Sequence, residues 1–139
     1  MVKVMGVSGV LIAQKSCAGR ALLDAFAANA LRNGDFEWHL AFHPYPENLF
    51  EPRSWLDRSA LPNPDSPRVT FKNLQVLRDY LRRPELLWNG RARSIILSEQ
   101  GFHAADGEAG ELNQAAGFVY AWNQVEALDG IDAFILHRQ

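Results

Sequence analysis

Cysteine is nearly missing from this sequence: Cys17 stands alone among 139 residues. An internal disulfide and a cysteine-ligated metal cluster are therefore both excluded. Missing too is any run of the roughly 18 to 20 apolar residues needed to cross a bilayer, so no membrane partner is expected. Neither sign of charge dominates, since 14 basic residues against 16 acidic ones leave a net charge of −2. Such a balance offers no broad basic surface to a phosphate backbone and argues against nucleic acid as a partner. There is no Gly-rich phosphate loop, Ser-His-Asp order or cysteine-histidine zinc spacing, and GVSGV at residues 6–10 lacks the lysine of a phosphate loop. No cofactor is expected.

What is present is a hydrophobic fraction of 47%, ordinary for a chain that buries a core, and residues 1–139 fit one domain. The first residues, MVKVMGVSGVLIAQKS, read as a buried strand rather than a signal peptide. Gly6 and Gly9 dilute the apolar run, Lys15 closes it, and no small-x-small cleavage site follows. A soluble protein is expected, with its compartment left open.

Two periodicities alternate along the chain. Residues 4–12, 37–43, 93–99 and 131–137 are short apolar runs of strand type. Between the first two, Leu22, Leu23, Phe26, Ala27, Ala30 and Leu31 recur at helical spacing, and Asn33-Gly34-Asp35 supplies the stop. Leu74, Leu77, Tyr80 and Leu81 mark a second helix, and Ala115, Phe118, Val119, Trp122 and Val125 a third. Residues 47–68, with Pro52, Pro62, Pro64 and Pro67, show neither period and form a long loop that Phe50 and Trp55 are expected to pack down. Residues 101–110 read as a Gly-rich polar loop. The alternation predicts an α/β fold with four parallel strands and right-handed crossovers.

Three strands close on polar residues: WHLAFHPYP at His43, SIILSEQGF at Glu99 and IDAFILHRQ at His137. In parallel sheets the carboxyl ends of the strands form the reactive edge. A carboxylate emerging there at Glu99 can act as nucleophile, as general acid or base, or as a metal ligand. His43 can bind a hydroxyl or orient Glu99, and Tyr45 brings a phenol to the same cleft. Gln100, His103, His137 and Arg138 complete the expected binding residues. His39 shares a face with His43 but lies deeper, and reads as structural. Trp55, Trp88 and Trp122 read as packing residues. Two histidines and a carboxylate also suit zinc or iron, so a metal site from His43, Glu99 and His137 or His103 stands as an alternative.

At these residues the sequence resembles the domain-of-unknown-function family 5722, a barrel similar to the clan A glycoside hydrolases. The resemblance rests on GDFEWHLAFHPYPENLFEPRSW, TFKNLQVL, ILSEQGFH and IDAFILHR, and covers most of residues 22–138. It implies that the four strands are the fifth to eighth of a (β/α)8 TIM barrel, and that Glu99 ends the seventh strand as the nucleophile of a carbohydrate-cleaving enzyme. A full barrel needs roughly 250 residues, so the expectation is an incomplete domain, the C-terminal half of a barrel, inactive alone. The acid/base glutamate of the fourth strand would lie in the other half. Open sheet edges recruit partners, and self-association is expected through them. A noncatalytic carbohydrate-binding or assembly module is the second reading.

Overall fold

Short apolar runs and segments of helical period alternate in the sequence, and strands and helices alternate in the chain accordingly. A computed structural model of the protein describes residues 3–6 and 19–137. The elements are β1 (Lys3–Gly6), α1 (Gly19–Arg32), β2 (Trp38–Phe42), α2 (Leu74–Leu81), β3 (Ile95–Gln100), α3 (Glu108–Glu126) and β4 (Ile131–Leu136). β2, β3 and β4 pair in parallel, and β1 lies parallel to the remaining edge of β2, so strands neighbour one another in chain order. Of the expected first strand, residues 7–12 lie outside the described residues, as does Arg138.

All three helices share one face of the sheet. Trp38, Leu40 and Phe42, spaced by two along β2, are buried together with Ile95 and Leu97 of β3. Against them pack Leu23 and Ala27 of α1, Leu74, Leu77 and Leu81 of α2, and Ala121 of α3. The helix stop read at Asn33-Gly34-Asp35 is real: Gly34 takes φ of 90°, and the Asp35 amide donates to the Ala30 carbonyl at 2.8 Å. The opposite face is polar at both ends and apolar between them, where Ala41, Ile96 and Ala133 pair across the strands. On that face His39 Nδ1 and Ser94 Oγ are 2.5 Å apart, and His43 Nε2 lies 3.0 Å from Ser98 Oγ.

The β3–β4 pairing contains two register shifts of one residue that cancel. Ile95 pairs with Ile131 but Ile96 with Ala133, which leaves Asp132 as the extra residue, and the Ser94 hydroxyl donates to its carboxylate. Since that serine proton is committed to Asp132, His39 Nδ1 must be the donor to Ser94. Further along, Leu97 pairs with Phe134 but Gln100 with Leu136, so the extra residue now falls in Ser98-Glu99 of β3. Such irregularities re-aim side chains at strand ends.

At the amino ends of the strands Arg93 is 6% exposed. Its Nη2 donates to both Asp35 carboxylate oxygens at 2.9 and 2.7 Å, Nη1 to the Phe36 carbonyl at 2.9 Å and Nε to the Leu86 carbonyl at 2.9 Å. The guanidinium also lies 4.0 Å from the centre of the Trp38 ring.

The long loop is ordered by side chains that replace a backbone ladder. Asn73 Nδ2 donates to the carbonyls of Leu61 and Arg68 at 2.8 and 2.9 Å and to Ser66 Oγ at 3.0 Å, while its Oδ1 accepts from the Thr70 amide at 2.9 Å. Trp55 packs down as expected, its ring 5.1 Å from that of Tyr120. Phe50 does not: it is 77% exposed.

α3 departs from its sequence reading twice. It begins at Glu108, so Gly110 belongs to the helix and not to a loop. Its fully buried positions are Gly110, Gly117 and Ala121, whereas Val119 and Trp122 stand exposed. The reason is close backbone approach: a Cβ on Gly110 would come within 1.8 Å of the Ala105 carbonyl oxygen, and one on Gly117 within 2.5 Å of the Pro52 carbonyl oxygen. Alanine would gain about 1 kcal/mol of helix propensity at either site. Overpacking against backbone that cannot swing aside costs about 1 to 3 kcal/mol and should win. Gly110→Ala and Gly117→Ala are therefore expected to lower the urea midpoint, and an unchanged or raised midpoint would contradict the close approach.

Candidate active site

The carboxyl end of β3 is where the second register shift places Glu99. The Tyr45 hydroxyl, three residues beyond the end of β2, donates to Glu99 Oε1 at 3.1 Å. Pro44 and Pro46 on either side are both buried, and they withdraw two amides from any continued ladder, turning the chain out of the sheet at this point. The two strand ends are thus joined by a charge-assisted hydrogen bond, and the carboxylate is held in one orientation. His43 sits one turn of the chain earlier and bonds Ser98 at 3.0 Å rather than Glu99. Orienting Glu99 falls to Tyr45. Ser98 escaped the sequence reading, although its two-residue spacing from Ile96 and Ser94 sets it with His43 on the face opposite the core.

The other expected residues occupy distinct places. Gln100 is fully buried, with its side-chain amide donating to the carbonyls of Leu97 and Ile135, which makes it a tie between β3 and β4. The His137 amide extends the ladder to the Gln100 carbonyl at 2.7 Å. Its side chain lines an open cleft of about 590 Å³ with Gly101, Phe102, Gln114, Ala115, Phe118 and Leu136. His103 lies in the loop after β3, and its ring centre is 5.3 Å from that of Phe50. Asp106 is exposed in the same loop, while Glu108 and Glu111, read as loop residues, stand in the first turn of α3. Among the described residues no three His, Cys, Asp or Glu side chains are grouped to hold a metal ion. The structure does not group His43, Glu99 and His137 or His103 as a three-residue ligand set.

Comparison with family models decides the kinship. The model of a family of unknown function, DUF5722, matches residues 11–139. The chain belongs to DUF5722. Neither the curated proteins nor the solved structures contain a match to it. The family match spans β2, β3 and β4 and every described residue of the site in this DUF5722 chain.

The Tyr45 phenol is pushed up to about 12, by burial first and then by its hydrogen bond to Glu99 and the charge there. It therefore remains a donor at any physiological pH. Tyr80 is also raised to about 12, by burial and then by Asp24, whose carboxylate accepts from it at 2.6 Å. Tyr120 is raised by burial and then by the charge of Asp57. These are all three tyrosines of the DUF5722 chain. Ordinary phenols ionise near pH 10, so between about pH 10 and 12 the folded chain keeps protons that the unfolded chain releases. Their contribution to stability is intact below about pH 10 and is lost as pH rises toward 12. Titration of tyrosinate absorbance should show little ionisation of the folded chain at pH 10, and about half in urea. Equal ionisation in the two states would contradict the burial of these phenols.

No helix among the described residues is long and apolar enough to cross a membrane.

Proposed function

We propose that this chain is part of a carbohydrate-cleaving (β/α)8 barrel in which Glu99 is the attacking carboxylate. The observation that carries the reading is Glu99 at the carboxyl end of a parallel strand, turned by a register shift onto the Tyr45 hydroxyl. Three features support the barrel: strands in chain order, helices packed on one face, and the pairs His39–Ser94 and His43–Ser98 on the other. Doubly wound sheets instead place helices on both faces.

In this reading β2, β3 and β4 are the sixth, seventh and eighth strands. A retaining glycosidase needs a second carboxyl group about 5 to 5.5 Å from the nucleophile. That acid/base group belongs to the complementary half of the barrel. Tyr45 donates to Glu99 and aims it at the anomeric carbon, and His43 with Ser98 offers polar contacts to hydroxyl groups beside it. The test is release of reducing ends from soluble β-glucan, xylan, mannan and aryl glycosides by a complete protein carrying this segment. Absence of turnover on every substrate would remove the reading.

Surfaces left bare also fit a partial barrel. Leu112 and Val119 of α3 are 63% and 56% exposed, and Leu136 at the β4 edge is 53% exposed. In the proposed barrel the next strand and helix cover them; in the isolated chain they drive self-association. Sedimentation of residues 1–139 should show dimers or larger species that dissociate on dilution. A cooperative, high-melting monomer would favour an independent carbohydrate-binding module instead.

A further inference from the structure

Phe50 is the most exposed large hydrophobic side chain among the described residues, at 77%. The backbone that carries it is tied into a hydrogen-bonded turn. The Phe50 amide donates to Asn48 Oδ1 at 3.0 Å, and the Glu51 amide donates to the Asn48 carbonyl at 3.0 Å, closing a turn that Phe50 crowns. Immediately after, the Arg53 guanidinium grips Glu51 through two bonds of 2.6 and 2.7 Å. The Phe50 ring meets His103 edge to face, at 5.3 Å with an interplanar angle of 83°, while most of the Phe50 side chain stays in water. Phe50 follows Tyr45 by five residues and His103 follows Glu99 by four. The two loops that carry the candidate acid-holding pair are therefore pinned to each other by an aromatic contact above the strand ends.

We propose that Phe50, propped by His103, is a sugar-stacking platform that fixes where a carbohydrate chain lies relative to Glu99. The inference rests on the reading of the site as carbohydrate-cleaving, and it adds a binding residue with a distinct role. A pyranose presents a flat patch of C–H groups that pairs with an aromatic face, and a preorganised ring loses little entropy when it binds. His103 acts as a positioning residue, holding the ring by an edge-to-face contact. Phe50 is too exposed to hold the core, so changing it leaves folding intact.

The experiment is affinity electrophoresis of the complete protein through gels containing soluble β-glucan, xylan or mannan, with thermal melts to verify folding. Retardation by at least one polysaccharide is expected. Phe50→Ala should weaken it roughly tenfold or more, Phe50→Trp should preserve it, and Glu99→Gln should leave it within about threefold of the parent. His103→Ala should weaken binding by a few-fold, and His103→Phe should restore it by returning a ring edge. Binding by Phe50→Ala equal to the parent would overturn the platform and leave the nucleophile reading standing. Loss of binding in Phe50→Ala together with full turnover by Glu99→Gln would support the platform and overturn the nucleophile. A folded parent protein retarded by none of the gels would overturn the platform, and one that also cleaved nothing would overturn both.

Discussion

Replacing Glu99 with glutamine in the complete protein is expected to lower carbohydrate turnover by at least about 10³-fold while leaving the melting temperature within a few degrees. The amide is nearly isosteric and can still accept from the Tyr45 hydroxyl, which lies 3.1 Å from Oε1 in the native chain. In the proposed role it loses the negative charge that would form the bond to the anomeric carbon, and removing a covalent nucleophile has effects of that order or larger. Tyr45→Phe removes only a hydrogen bond to a charged group, worth about 1.5 to 3 kcal/mol, so a fall of roughly 10- to 100-fold is expected there. The two effects should not add, because the phenol acts through the carboxylate. Partial recovery of a Glu99→Ala variant by azide would identify the missing group as the attacking one. Unchanged turnover in Glu99→Gln would remove Glu99 from the chemistry.

Arg93→Ala should destabilise the fold by about 3 to 5 kcal/mol, a large share of the 5 to 15 kcal/mol that holds a typical domain together. Truncation strands the Asp35 carboxylate and the carbonyls of Phe36 and Leu86, and strips the guanidinium from the Trp38 ring. Leu86 is buried and the Asp35 side chain is only 22% exposed, so the stranded groups lie largely out of water beside a residue that is itself 6% exposed. Arg93→Lys keeps the charge but not the planar fork that meets three acceptors at once, and should fall between parent and alanine variant. Urea unfolding measures the difference: the midpoint should drop with the slope unchanged. A loss below about 1 kcal/mol would mean that the cluster is dispensable.

Much of this architecture could be read from the chain because its punctuation is chemical. Gly34 is needed for a left-handed turn, Pro44 and Pro46 cannot join a ladder, and the β-branched run at Ile95-Ile96 suits a strand covered by helices. Parallel pairing followed from the helical segments between strands. The start of α3 was hidden, because glycine argues against a helix unless another backbone passes too close for a Cβ, as Ala105 does at Gly110. The buried side of α3 was misjudged for the same reason, since an apolar count weights Val119 and Trp122 above glycine. At the site, Glu99, Tyr45 and His43 were legible as strand-end residues, but the partner of each was not. Strict alternation places Glu99 with Ile95 and Leu97, and only the register shift at Ser98-Glu99 changes that assignment. Phe50 shows the limit from the other side: hydrophobicity predicts burial, and a locally bonded turn holds the ring in water instead.

The two cancelling shifts make β3 and β4 behave like a vernier. β4 carries the spare residue at Asp132, β3 carries it at Ser98-Glu99, and the rungs Ile96–Ala133 and Leu97–Phe134 between them are out of step with both ends. Deleting Asp132 alone would leave Ile131 and Phe134 two residues apart, the spacing of a regular strand on one face, and deleting Ser98 or Glu99 alone would do the same for Leu97 and Gln100. The sheet can therefore lose either spare residue and keep its rungs. What a deletion at Ser98-Glu99 removes is the aim of Glu99 at Tyr45, not the pairing of β3 with β4.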